Sequence, residues 1–174
     1  MPGHCIPAQR NHTMNSAQER AQEIRRRFHF SRPQDIDRVL RAEKLSVVRI
    51  PFVGRIDEMI VYNYIAIRSS LRDQRRIREL IAHALGHHFL HSGNQPFYYF
   101  RGDRTLAKQW ERQAWAFAYE LLIPARRLEE FLRKQMSDEE MREYFDVTEE
   151  FYGDRKQAFR EDWSGRSNTS PTMR

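Results

Sequence analysis

The sequence predicts an α+β fold: a small three-stranded sheet packed on a mostly helical body, with a short helix-turn-helix-like segment near the C-terminal end. Three observations carry this. From residue 45 to 67 the apolar residues are largely β-branched and come in short blocks, the mark of strands. On either side they recur every three or four residues, the spacing of amphipathic helices. Two serines carry a glutamate three residues on, Ser16 with Glu19 and Ser137 with Glu140, the signature of a helix start.

Taken in order, residues 16–28 read as a first helix capped by Ser16, with Ala17, Ala21, Ile24 and Phe28 on its inward face. A second helix follows Ser31-Arg32-Pro33 and turns Ile36, Val39, Leu40 and Ala42 inward. Leu45 to Ile50 reads as a strand ended by Pro51, and Met59 to Ile67 as two short strands or a hairpin, with Tyr62-Asn63 near the turn. Helical spacing returns from Asp73 to His91, with Ser92-Gly93 as its stop. A loop with an aromatic knot, Phe97 to Phe100, leads to a long helix from Leu106 to Leu122, ended by Pro124. Ala125 to Lys134 and Ser137 to Tyr144 form two more helices, and Thr148 caps a last one reaching about Phe159.

The chain of 174 residues is long enough for one domain with a real core. Residues 16–136 are expected to form that domain, with 137–162 packed on it. Residues 1–15 and 163–174 are expected to be disordered by composition, and Met14 is an alternative natural start. No apolar run is long enough to span a membrane, the first residues lack the apolar centre of a secretory signal, and Cys5 is the only cysteine. The expectation is a cytoplasmic protein without disulfides.

The 30 basic and 24 acidic side chains leave a net charge of +6. Residues 17–136 carry 23 basic and 14 acidic side chains, whereas residues 138–162 carry four basic and ten acidic ones. The densest basic run, Arg68 to Arg78, reads as a solvated face. A helix-turn-helix that reads DNA needs Lys and Arg against phosphates, so an acidic segment at 138–162 argues against direct nucleic-acid binding.

The chemistry concentrates in His83-Ala84-Leu85-Gly86-His87. Histidines at i and i+4 on a helix face the same way and can grip one metal ion. The usual zinc-peptidase motif places a glutamate after the first histidine as general base, and here that position is Ala84. Gly86 costs roughly 1 kcal/mol inside a helix relative to alanine, so close packing against a neighbouring helix is expected there. Glu111 is the candidate third ligand, because Ala114 and Ala118 share its helical face and let that helix come close. Glu120 is expected to face elsewhere. His91 continues the ligand face one turn further, too far along the axis to share the ion, and is a candidate contact to a ligand or substrate. His88 reads as an ordinary surface or core histidine.

Arg78 to His91 resembles the motif helix of the ImmA/IrrE zinc metallopeptidases, and Glu111 to Pro124 resembles that family's second signature. The strand pair before the motif helix and the Tyr144-Phe145-Asp146-Val147-Thr148 turn also match, so the resemblance covers roughly residues 17–160. It implies a zincin-like domain whose metal ligands are His83, His87 and Glu111, with residue 84 the position of the base. It implies zinc as cofactor, with manganese an alternative. It further implies a regulatory endopeptidase that cleaves a helix-turn-helix repressor or antitoxin encoded nearby and so relieves repression. Residue 79 is Glu where the family usually has an aromatic; one turn before His83, it is a candidate partner of that ligand.

Ala84 should leave the fold intact, since alanine is the best helix former, while removing the base. Catalysis is then expected to be impaired, through an engineered substitution or in a natural pseudoenzyme that serves as an interaction module; intact ligands favour the first. Tyr62, Tyr64 and Tyr119 are candidates for stabilising a developing oxyanion.

Overall fold

A computed structural model describes residues 9–91 and 104–167, with side chains described for 16–91 and 105–162. Seven α-helices and three strands are formed by these residues, together with one turn of 3-10 helix: α1 (Gln9–Arg27), the 3-10 turn (Pro33–Asp35), α2 (Ile36–Ala42), β1 (Ser46–Ile50), β2 (Glu58–Val61), β3 (Tyr64–Arg68), α3 (Gln74–Leu90), α4 (Arg104–Leu122), α5 (Ala125–Arg133), α6 (Asp138–Phe145) and α7 (Glu149–Ser167). This is the expected α+β arrangement, mostly helical with a small sheet. Among the described residues no helix is long and apolar enough to cross a membrane. The expected stop at Ser92-Gly93 and the aromatic knot at Phe97 to Phe100 lie outside the described residues.

The first helix starts earlier than expected. No proline or glycine interrupts residues 9–27, so the helix runs from Gln9 and Ser16 lies inside it instead of capping it. Residues 9–15, expected to be disordered, therefore belong to α1. At the other end α7 continues through residue 163 to Ser167, into the expected tail. Ala42 is exposed; the inward face of α2 is Ile36, Val39 and Leu40 alone.

The sheet has strand order β1-β3-β2, with β1 parallel and β2 antiparallel to β3. Tyr62 and Asn63 make the two-residue turn of the β2–β3 hairpin, Tyr62 with φ 52°. The central strand turns the fully buried Ile65 and Ile67 into the core. Along β2, Glu58 pairs with Ile67 and Ile60 with Ile65, so Glu58 and Ile60 lie on that same core-facing side.

Helix α3 is central. Asp73 caps it by accepting from the Arg75 N–H at 2.9 Å, and every residue from Glu79 to His87 is buried. Helix α4 packs along α3 on one side and α1 on the other. Helices α3 and α4 come very close at Gly86: a Cβ there would meet the Ala114 carbonyl oxygen at 2.6 Å and its Cα at 2.8 Å. Only glycine fits, which accounts for its presence in the helix.

The C-terminal helices are tied to this pair by polar groups. Ser137 opens α6 with the expected capping box, and Thr148 Oγ1 accepts from the Phe151 N–H at 3.2 Å in the first turn of α7. The turn between them is held by α3: Arg75 Nε and Arg78 Nη1 each reach the Asp146 carboxylate at 2.8 Å. Glu120, expected to face elsewhere, is fully buried on α4 and bonded to Arg155 of α7 at 2.7 Å. Glu120 also accepts from Gln22 of α1 at 3.0 Å and from the Ala125 N–H that opens α5 at 3.1 Å. One carboxylate thus joins four helices.

Candidate metal centre

His83 and His87 sit one turn apart on α3, each only 4% exposed, with ring centroids 4.7 Å apart. Because Gly86 admits α4 so closely, the half-exposed carboxylate of Glu111 reaches both rings. Its Oε2 lies 3.3 Å from His83 Nε2, and its Oε1 lies 3.2 Å from His87 Nε2. The candidate ligand atoms of the three residues all fall within 4.8 Å of one another.

This donor set fits a metal ion. Two imidazole nitrogens and a carboxylate match a zinc site with one position left open, and ligand bonds of about 2.0–2.2 Å in a tetrahedron place neighbouring donors roughly 3.3 Å apart. Among the described residues His83 Nε2 has no aligned hydrogen-bond partner though it is buried, a cost that a metal ion would remove. Trp115, one turn beyond Glu111, stacks on the His83 ring at 4.2 Å and covers its face.

Charge in the cluster is unbalanced without a cation. Burial alone would lower the pKa of His83, but the carboxylates of Glu111 and Glu58 more than offset this and raise it to about 9. The imidazole thus holds a proton at neutral pH where a metal would otherwise be.

The outer nitrogens of the two histidines face different partners. His83 Nδ1 lies 3.3 Å from Glu58 Oε1, within ion-pair distance but not aligned as a hydrogen bond. His87 Nδ1 meets His91 Nδ1 at 3.3 Å, and His91 Nε2 meets Gln113 Oε1 at 2.9 Å. Trp110 stacks on the His91 ring at 4.9 Å. His91 therefore stands behind His87, as the extra helical turn allows.

Glu79 does not serve His83. Its buried carboxylate accepts from the Thr148 N–H at 2.6 Å and from the Thr148 hydroxyl at 3.1 Å, and Arg76 lies 3.6 Å away. Burial raises its pKa, against those stabilising contacts. The acidic neighbour of His83 is Glu58, which the sequence reading missed. Its signal was faint: one carboxylate opening a short apolar strand, legible only once the register shows that it faces inward.

Ala84 is fully buried and offers no titratable group at the position of the base. Glu58 cannot stand in for it, because Glu58 approaches the edge of His83 opposite the cluster. Tyr119 lines a cavity of about 270 Å³ together with Glu111, Arg112, Trp115 and Ala116. Its hydroxyl donates to Asp154 at 3.4 Å, and burial raises its pKa. Tyr62 and Tyr64 are exposed at the hairpin turn.

A search of curated proteins found no match to this chain. The family model described as the IrrE N-terminal-like domain, Peptidase_M78, matches residues 39–155, which span the sheet, both helices of the cluster and the start of α7. The chain belongs to the ImmA/IrrE family of M78 metallopeptidases.

Proposed function

We propose that this protein is a cytoplasmic zinc endopeptidase of regulatory type, and that with Ala84 it binds its substrate but cleaves it poorly. The observation that carries the reading is the convergence of His83, His87 and Glu111 around a buried His83 Nε2 that lacks an aligned partner among the described residues. These three side chains would hold the ion; manganese is the alternative metal. When bound, the metal supplies Lewis-acid chemistry, acidifying a water and polarising a peptide carbonyl.

The chain's own residues do the rest. Glu111 and the histidines bring two imidazole rings and one carboxylate to a common point, and Trp115 stacks on the His83 face. The cavity beside Glu111 receives a substrate side chain, and β2, an edge strand of the sheet, offers unpaired backbone groups to an extended peptide. The missing part is the proton carrier: nothing at position 84 takes a proton from water and returns it to the leaving amine. Loss of such a group costs about 10²–10⁴-fold in rate.

By family resemblance the substrate is a helix-turn-helix repressor or antitoxin encoded nearby, and cleavage relieves repression. The buried, inert Ala84 also favours a second reading, a natural pseudoenzyme that captures the same partner without cutting it. Zinc content of the purified chain beside Glu111→Ala tests the site: about one zinc per chain is expected, lost in the variant. Ala84→Glu, incubated with the neighbouring repressor, separates the two readings. Metal-dependent cleavage supports the peptidase, whereas binding without cleavage supports the interaction module.

A further inference from the structure

The register of the hairpin places Glu58 on the core-facing side of β2, opposite the fully buried Ile67. An apolar residue is the ordinary occupant of such a position, since a carboxylate turned inward loses its hydration. The Glu58 side chain is only 12% exposed, and its Oε2 is buried without a hydrogen-bond partner among the described residues. Among the described residues, the group that rewards this placement is His83, whose Nδ1 lies 3.3 Å from Glu58 Oε1, within charge-pair reach though not aligned as a hydrogen bond.

We propose that Glu58 is a positioning residue for the metal centre: it holds the His83 ring with Nδ1–H toward β2, so that the Nε2 lone pair faces the ion. The inference rests on the metal-site reading above. An imidazole binds metal through the nitrogen that carries no proton, and a carboxylate at the other nitrogen selects that tautomer, fixes the ring and strengthens its donation. The neighbouring ligand is arranged the same way. With Gln113 Oε1 accepting from His91 Nε2–H, His91 Nδ1 is left to accept from His87 Nδ1–H, which also directs His87 Nε2 to the ion. The difference is that Glu58 comes from the sheet, so it ties the strand beside the metal helix to the orientation of a ligand. It also adds a negative charge next to a site that would hold a dication.

The test is zinc affinity, by competition with a chromophoric chelator, for the full chain and for Glu58→Leu and Glu58→Gln. Thermal melts of the metal-free proteins and cobalt absorption spectra are measured alongside. Leucine suits the inward strand position, so Glu58→Leu is expected to fold while binding zinc about 10–100-fold more weakly. Its cobalt spectrum should change, and Glu58→Gln, which keeps an acceptor oxygen, should lie between the two. Parent-like zinc affinity and an unaltered cobalt spectrum in Glu58→Leu would overturn the proposal and leave the metal site standing. If the parent itself takes up no metal, the site reading fails and this inference falls with it.

Discussion

The N–H of Thr148 donates to the Glu79 carboxylate at 2.6 Å, joining the helix that carries His83 and His87 to the first turn of α7. The contact explains how a buried acid is tolerated at position 79: its two oxygens take the backbone and side-chain donors of one threonine, and Arg76 stands nearby. The C-terminal helices are thus anchored to α3, where Arg75 and Arg78 also grip Asp146.

The same logic makes the Glu120–Arg155 pair a stability determinant. Both side chains are 1% exposed, and burial pulls the Arg155 pKa down while Glu120 pushes it back up. Removing one partner leaves a buried charge unpaired, which costs about 3–5 kcal/mol. Glu120→Ala should therefore unfold at markedly lower urea than the parent. Glu120→Leu combined with Arg155→Met should recover much of the loss, because an apolar pair needs no compensation. Equal loss in the single and double variants would show that the carboxylate's bonds to Gln22 and the α5 N-terminus dominate instead.

Gly86 against Ala114 gives a prediction of opposite chemistry. Gly86→Ala gains about 1 kcal/mol of helix propensity. It also drives a methyl group to within 2.6 Å of a backbone oxygen, which no side-chain rotation can relieve. Overpacking of this kind costs about 1–3 kcal/mol or more, so the clash wins. Because α4 carries Glu111, any relief by helix separation also moves that carboxylate from the histidines. Lower thermal stability together with weaker zinc binding is the expected outcome; a stabilised variant with parent-like affinity would contradict the close approach.

What could be read from the chain alone follows from how local each signal is. The β-branched block, the hairpin at Tyr62-Asn63 and the Ser137 capping box each declare themselves within a few residues. The clustering of His83, His87 and Glu111 was legible for a related reason: His83 and His87 share one helical turn, and Gly86, Ala114 and Ala118 are small where helices must approach. Helix ends were harder. His29, Lys44, Gln135 and Asp146 all adopt the left-handed conformation at helix C-termini, where glycine is the usual signal and is absent. Each turn is instead closed by backbone bonds such as Phe30 N–H to Arg25 O at 2.8 Å and Leu45 N–H to Leu40 O at 2.9 Å. Glu58 with His83, Glu79 with Thr148 and Glu120 with Arg155 were illegible because an acid in a short strand or helix reads as solvated until its distant partner is known.

The last prediction concerns pH and needs the metal state specified. In the metal-free protein His83 titrates near pH 9, above its ordinary value of 6.5, because Glu111 and Glu58 outweigh the effect of burial. A group whose folded pKa is raised stabilises the fold fully below its unfolded pKa and loses that contribution as pH rises through the folded one. Chelator-treated protein should therefore lose thermal stability between about pH 6.5 and 9. Zinc competes with that proton, so the loaded protein should lack this loss, and zinc uptake near neutral pH should release protons. Thermal melts across this range, with and without zinc, combined with calorimetric titrations in buffers of different ionisation enthalpy, check both. Metal-free stability that is flat from pH 6.5 to 9 would mean that the two carboxylates do not hold a proton on His83.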